Sequence, residues 1–254
     1  APRYQDRPLV RVPSRCTDGR WSFAASDIAA ALTGKSKVLL YCNPHNPVGR
    51  AYRRKEVLAV AELCCERDLI LCSDEIHCEL QLDGGRHVPA ASLAPEIAAR
   101  TITLMAPSKT FNTPGLATAF VVISNRDLRR RFQHACRGLV WGGNAMGYAA
   151  CEAAFREGDP WLQELLDYLR GNRDLVESFV AGHPDLSMAH VEATYLAWID
   201  FRRTGLDEPH KHCLQAGVGL SHGADFGSPG WLRLNFGCPR SVLREALDRI
   251  AAAT

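Results

Sequence analysis

The stretch KVLLYCNPHNPVG, residues 37–49, is a continuous apolar run that stops in a cluster of asparagine, proline and glycine. Such a run reads as a strand buried on both faces and followed by a turn. The segment after it, RRKEVLAVAELCCERD (53–68), sets Val57, Val60, Ala61, Cys64 and Cys65 at helical spacing and predicts an amphipathic helix. LILCSDE (69–75), TITLMAP (101–107) and ATAFVVIS (117–124) predict three further strands. Strands that alternate with helices and connections in this way indicate a parallel or mixed sheet covered by helices.

After about residue 125 the pattern changes. NRDLRRRFQHAC (125–136), NAMGYAACEAAFR (144–156) and DPWLQELLDYLRGNRDLVESFVAG (159–182) are three helical stretches in succession. Asp159 and Pro160 predict the start of the third, with Asp159 as the capping residue and Pro160 at the first helical position. VEATYLAWIDF (191–201) then predicts a strand and EPHKHCLQAG (208–217) a short helix ending in glycine. GVGLSHG (217–223) and WLRLNFG (231–237) predict short strands, and SVLREALDRIAAA (241–253) a closing helix. The chain thus reads as an α/β domain, a long connecting helix and a smaller α+β domain.

Composition narrows the function classes. Of 254 residues, 46% are hydrophobic and 23% charged, the balance of a soluble globular protein. A net charge of +2 gives no footing for a nucleic-acid partner. No apolar run reaches membrane-spanning length, and the N-terminus has no apolar core of a signal peptide. The ten cysteines include no C-x-x-C pair, so no zinc ribbon is expected and no metal site is assigned. Several lie in apolar stretches, as Cys72 and Cys151 do, and a reducing, cytoplasmic setting is expected.

Three polar signals stand at the C-terminal ends of predicted strands: NPHNPVG (43–49), SDEIH (73–77) and SKTFN (108–112). Open α/β sheets bind ligands outside the carboxyl ends of their strands. Together these signals describe a site for an aromatic, hydrogen-bonding cofactor.

Those three motifs, followed by RLNFGCPR (233–240), resemble in their order the class I/II aminotransferases, over about residues 36 to 250. The likeness is greatest to the MalY/PatB branch of cystathionine β-lyase-type C–S lyases, and GGRHVPAASL (84–93) is also similar to that branch. The resemblance implies a fold-type I, aspartate aminotransferase-like α/β architecture: a three-layer large domain and a small α+β C-terminal domain. Residues 1–158 would be the C-terminal part of the large, cofactor-binding domain, and residues 159–254 the small domain with its connecting helix. It also implies pyridoxal 5′-phosphate (PLP) as cofactor and a homodimer as the working assembly.

Each motif residue then receives a role by resemblance. Lys109 would carry PLP as a Schiff base and act as the base at the substrate Cα. Asp74 would pair with the protonated pyridine nitrogen and keep the ring an electron sink. Asn46 would donate to the ring's phenolate oxygen. His77, where many relatives have tyrosine, would reach the same oxygen or would be a core histidine. Ser108 would touch the phosphate or merely cap its turn. Arg233 would bind the substrate α-carboxylate through its fork of donors. Tyr195 would lie near that carboxylate, or be a core tyrosine.

The implied reaction is α,β-elimination from cystathionine, a cysteine S-conjugate or a thiocysteine, releasing thiol, pyruvate and ammonia. An amino-acid transaminase on the same scaffold stays open, as does a non-catalytic domain of this fold. Two departures matter: Ala117 stands where many aminotransferases have a phosphate-gripping arginine, as in the C–S lyase branch, and Ala106 where a serine is common. Relatives also carry an N-terminal part with a glycine-containing phosphate loop at a helix N-terminus. Nothing before residue 36 resembles it, so the chain is expected to correspond to the region downstream.

Overall fold

A computed structural model describes residues 2–140 and 142–254. A short hairpin, β1 (Arg15–Thr17) and β2 (Arg20–Ser22), leads into α1 (Ala25–Ala31) and then β3 (Val38–Cys42). There follow α2 (Arg54–Glu66), β4 (Ile70–Asp74), α3 (Pro95–Ala98), β5 (Thr101–Met105), α4 (Pro107–Thr110) and β6 (Phe120–Val122). Strands β3 to β6 form one sheet in chain order, with β3, β4 and β5 parallel and β6 antiparallel at the edge. It is a mixed sheet, as alternating strands and helices require.

Helix α2 turns Val57, Val60, Ala61 and Cys64 onto this sheet, where they pack with Tyr41, Leu69, Leu71 and Ile97. The start of α2 is held by Glu56, which accepts the Arg53 amide at 2.8 Å. The opposite face carries a smaller cluster of Ile102, Ile123 and Leu128. Leu128 belongs to α5 (Arg126–Cys136), whose cap Asn125 accepts the amides of Asp127 and Leu128. Beyond α5 none of the described residues packs on that face. The expectation that β3 is buried on both sides is therefore corrected: Tyr41 is buried, but Val38 is 52% and Leu40 58% exposed. As the first strand of the sheet β3 has one neighbour only, and none of the described residues covers its second face.

Helix α6 (Ala145–Glu157) runs into α7 (Asp159–Ala181) through Gly158, which ends one helix and caps the other. Asp159 is the first helical residue rather than the cap, and Pro160 the second, because glycine takes the joint between two helices that a side chain cannot enter. A Cβ on Gly158 would lie 2.3 Å from the Ala154 carbonyl oxygen. The second sheet has the order β7 (Ser187–Met188), β8 (Leu196–Asp200), β10, β9 and is antiparallel throughout. In chain order β8 is followed by α8 (Pro209–Gln215), β9 (Ser221–His222), β10 (Trp231–Asn235) and α9 (Arg240–Ala253). The strand expected over 191–201 is thus confined to its second half, and that over 117–124 to three residues.

The second core unites Leu162, Leu166, Leu169, Val176 and Val180 of α7 with Ile199, Phe201, Leu232, Leu243 and Ile250. Each such side chain contributes about 1.5–3 kcal/mol on burial. Leu80 and Leu82, from the segment after β4, belong to this core too. Their strand-like run is tied to the second unit by backbone bonds Thr194 N to Leu80 O (2.8 Å) and Leu82 N to Glu192 O (2.9 Å). A second tie is Arg50, 3% exposed, whose donors reach Glu56, Glu192 and the carbonyls of Trp21 and Ala51. These connections hold the two sheets in one relation, across which Arg233 reaches Asn46.

Candidate active site

The carboxyl ends of β3, β4 and β5 lie side by side: Cys42 stands opposite Asp74, and Asp74 opposite Leu104. Each strand hands over to a polar loop at that edge. After β3, the Asn43 amide donates to the Asp74 carbonyl at 3.0 Å, and Asn43 Oδ1 accepts the Tyr52 amide, also at 3.0 Å. The loop is thereby pinned on both sides, which fixes Asn46 three residues on. After β5, α4 lifts Ser108 and Lys109 over the sheet edge, with Pro107 pre-set for its first turn.

Asp74, the last residue of β4, is half-buried. Burial pushes its carboxyl up from the ordinary range, and the neighbouring Glu75 adds to this. The Ile76 amide, donating to Oδ1 at 3.3 Å, and the Lys109 ammonium oppose the rise. Lys109 therefore lies within electrostatic reach of Asp74, and its ammonium makes no hydrogen bond among the described residues.

His77 is 3% exposed, and its buried Nδ1 has no partner among the described residues. Burial, reinforced by the cations Lys109 and Arg233, lowers its pKa to about 4, so the ring is neutral near pH 7. Tyr195 meets it edge-on, with ring centroids 5.7 Å apart. A buried imidazole with a free nitrogen, between two cations, is suited to a polar oxygen on a bound group.

Arg233 reaches this site from the other sheet. Its Nη1 donates to Asn46 Oδ1 at 2.8 Å and its Nη2 to Ser221 Oγ at 2.9 Å. The guanidinium lies over the Phe226 ring, 4.9 Å from its centroid. Burial pulls its pKa down, countered by Tyr195, without discharging a group of this basicity. Five of the residues singled out by resemblance, together with Tyr195, converge here: Asn46, Asp74, His77, Lys109 and Arg233. Ser108 stands beside Lys109, but its side chain makes no hydrogen bond among the described residues. Ala106 caps α4 without any side-chain bond, and Ala117 is left-handed, with φ 47°.

Ser221 and Phe226 are not legible in the sequence. Ser221 faces Arg233 across the β9–β10 pair, and no motif announces that register. The only signal is GVGLSHG as a short strand, which names no partner.

The profile of the aminotransferase class I and II family matches residues 3–250. The cystathionine β-lyase PatB of Bacillus subtilis is 38% identical over 255 residues, 97% of this chain and 66% of that protein. The crystal structure of OvoB superposes with a TM-score of 0.96 at 44% identity, covering 99% of this chain and 67% of that one. Cystalysin from Treponema denticola, whose crystal structure contains a pyridoxal 5′-phosphate cofactor, gives a TM-score of 0.93 at 32% identity, over 99% of this chain and 66% of that one. The chain thus spans about two-thirds of the length of these relatives.

Proposed function

The chain belongs to the aminotransferase class I and II family, and we propose that it is the greater part of a PLP-dependent C–S β-lyase. The observation that carries the reading is one juxtaposition: Lys109, Asp74 and a buried His77, whose Nδ1 has no partner among the described residues, at one sheet edge with Arg233 held on Asn46. The donor set fits PLP. Asp74 offers a carboxylate for the pyridinium, His77 and Asn46 offer polar atoms for the ring oxygen, and Lys109 offers its side-chain nitrogen for the Schiff base. Ser108, beside Lys109, is the proposed phosphate contact of this segment.

When bound, PLP supplies an electron sink for the Cα of an attached amino acid. The chain's own residues do the rest. Arg233 binds the α-carboxylate through donors that Asn46, Ser221 and Phe226 hold in place, with Tyr195 alongside. Lys109 Nζ takes the Cα proton. Asp74 would pair with the ring nitrogen and favour its protonated, charged form. Neutral His77 orients the ring oxygen without adding charge. By holding the α-carboxylate, the fork of Arg233 would fix which bond at the substrate Cα is weakened, and so present the Cα proton to Lys109.

The substrates proposed are cystathionine, a cysteine S-conjugate or a thiocysteine; likeness to a cystathionine β-lyase and to cystalysin supports that class. Residues 1–158 are proposed as cofactor-holding and 159–254 as carboxylate-holding, a division that the two hydrophobic cores support, with Leu80 and Leu82 crossing it. Ten free cysteines suit a reducing compartment such as the cytoplasm. Among the described residues no helix is long and apolar enough to cross a membrane.

The test supplies L-cystathionine and follows pyruvate and free thiol against pyridoxamine phosphate. Thiol and pyruvate in equal amounts are expected. Stoichiometric pyridoxamine phosphate without thiol would replace the lyase by a transaminase, and protein that stays colourless with PLP would leave a non-catalytic domain.

A further inference from the structure

Directly behind Asp74 lies a buried polar group that the proposed chemistry does not use. Glu75 is 1% exposed and Ser73 is fully buried. Glu75 Oε1 accepts Ser73 Oγ at 2.8 Å and the Ala90 amide at 3.1 Å, while Oε2 meets His87 Nε2 at 2.7 Å. His87 and Ala90 belong to GGRHVPAASL, a stretch that supplies none of the site residues above.

Side chains alternate across a strand, so Ser73 and Glu75 point to one side of β4 and Asp74 to the other. The bond between Ser73 and Glu75 therefore closes around Asp74 at the place where the ladder of β4 ends. A slip or twist of the pleat by one residue would turn Asp74 away from Lys109. A carboxylate buried this deeply is costly unless fully bonded, and apolar residues would fill the same space more cheaply. Its presence next to the site calls for a reason beyond packing.

We infer that Ser73, Glu75 and His87 form a buried clip that sets the direction of Asp74, making Glu75 and His87 positioning residues for the cofactor's ring. The inference rests on the reading of Asp74 as the ring-nitrogen partner. The Ile76 amide reports on the direction of Asp74, because it donates to Asp74 Oδ1.

The test compares wild type with His87→Ala, His87→Gln and Glu75→Gln. In His87→Gln the introduced side-chain amide can still donate to Glu75; in His87→Ala nothing can. In purified protein without added PLP, hydrogen exchange at the Ile76 amide is expected to rise about tenfold in His87→Ala and Glu75→Gln, and to stay near wild type in His87→Gln. Amides of β10 should keep their rate in all variants, which separates a local release from general unfolding. With PLP and cystathionine, His87→Ala is expected to lose about tenfold in kcat with KM nearly unchanged, and to shift the visible band of the bound cofactor. His87→Gln should restore both.

Unchanged Ile76 exchange in His87→Ala and Glu75→Gln would overturn the clip. Faster exchange with kcat and the visible band unaltered would overturn its link to Asp74. A wild-type protein that takes up no PLP would instead sink the lyase reading, and the exchange data would still decide whether the clip exists.

Discussion

Arg233 Nη1 donates to Asn46 Oδ1 at 2.8 Å, joining the loop after β3 in the first sheet to β10 in the second. The two side chains are 187 residues apart in sequence. Through this bond the group proposed to hold the substrate carboxylate is held by the group proposed to touch the ring oxygen. On those roles substrate and cofactor geometry would be coupled, and the site's variants should separate into those that affect binding and those that affect rate.

Arg233→Lys keeps a charge but loses the planar fork. It should raise KM for the amino-acid substrate on the order of tenfold to a hundredfold, with the cofactor's visible spectrum little changed. Ser221→Ala removes one of the two bonds that aim the fork and should raise KM by about three- to tenfold. Steady-state kinetics on cystathionine check both. A Ser221→Ala protein with unaltered KM would remove Ser221 from the site.

Lys109→Ala should abolish covalent cofactor attachment and lower turnover by about 10³-fold. Borohydride reduction and peptide mapping of the wild-type protein should find the pyridoxyl group on the peptide containing SKTFN. A label on any other lysine excludes the assignment.

Asp74→Ala should lower kcat on the order of 10²- to 10³-fold while PLP remains bound, because its charge acts most on the electron-rich transition state. Near-normal turnover with bound PLP would show that another group supports the ring nitrogen.

Cofactor-free protein should lose stability as pH falls from about 6.5 to about 4. The His77 pKa is lowered from 6.5 to about 4 on folding, so in that window the unfolded chain binds a proton that the folded one refuses. Stability therefore rises with pH across the window, by on the order of 3 kcal/mol for this residue. Urea melts at pH 4.5 and 7 should show the difference, and His77→Gln should reduce it. An identical pH slope in that variant would refute the attribution.

Arg50→Ala should lower stability by about 3–5 kcal/mol, since it leaves Glu56 and Glu192 without their buried cation and frees the carbonyls of Trp21 and Ala51. A thermal melt reads this. A change under about 1 kcal/mol would mean that the contact between the two units does not depend on Arg50.

Much of this molecule follows from local chemistry alone. The strands at 37–43 and 69–75 follow from apolar runs that are bounded by turn residues or charge. Asn46, Asp74 and Lys109 could be placed at one sheet edge from sequence, because parallel strands put all their carboxyl ends together. Other features depended on distant partners. Whether β3 is covered on its second face turns on which segments pack there, and no periodicity in 37–43 states that. That Gly158 rather than Asp159 joins α6 to α7 turns on the space left between two helices. The aim of Arg233 at Asn46, its bond to Ser221 across β9, and the pairing of Glu75 with His87 are all contacts between residues separated in the chain. Residue type and spacing specify what a side chain can do; only the packing of the two sheets specifies what it faces, because that direction is set by the sum of many weak contacts rather than by any one residue's neighbours in sequence.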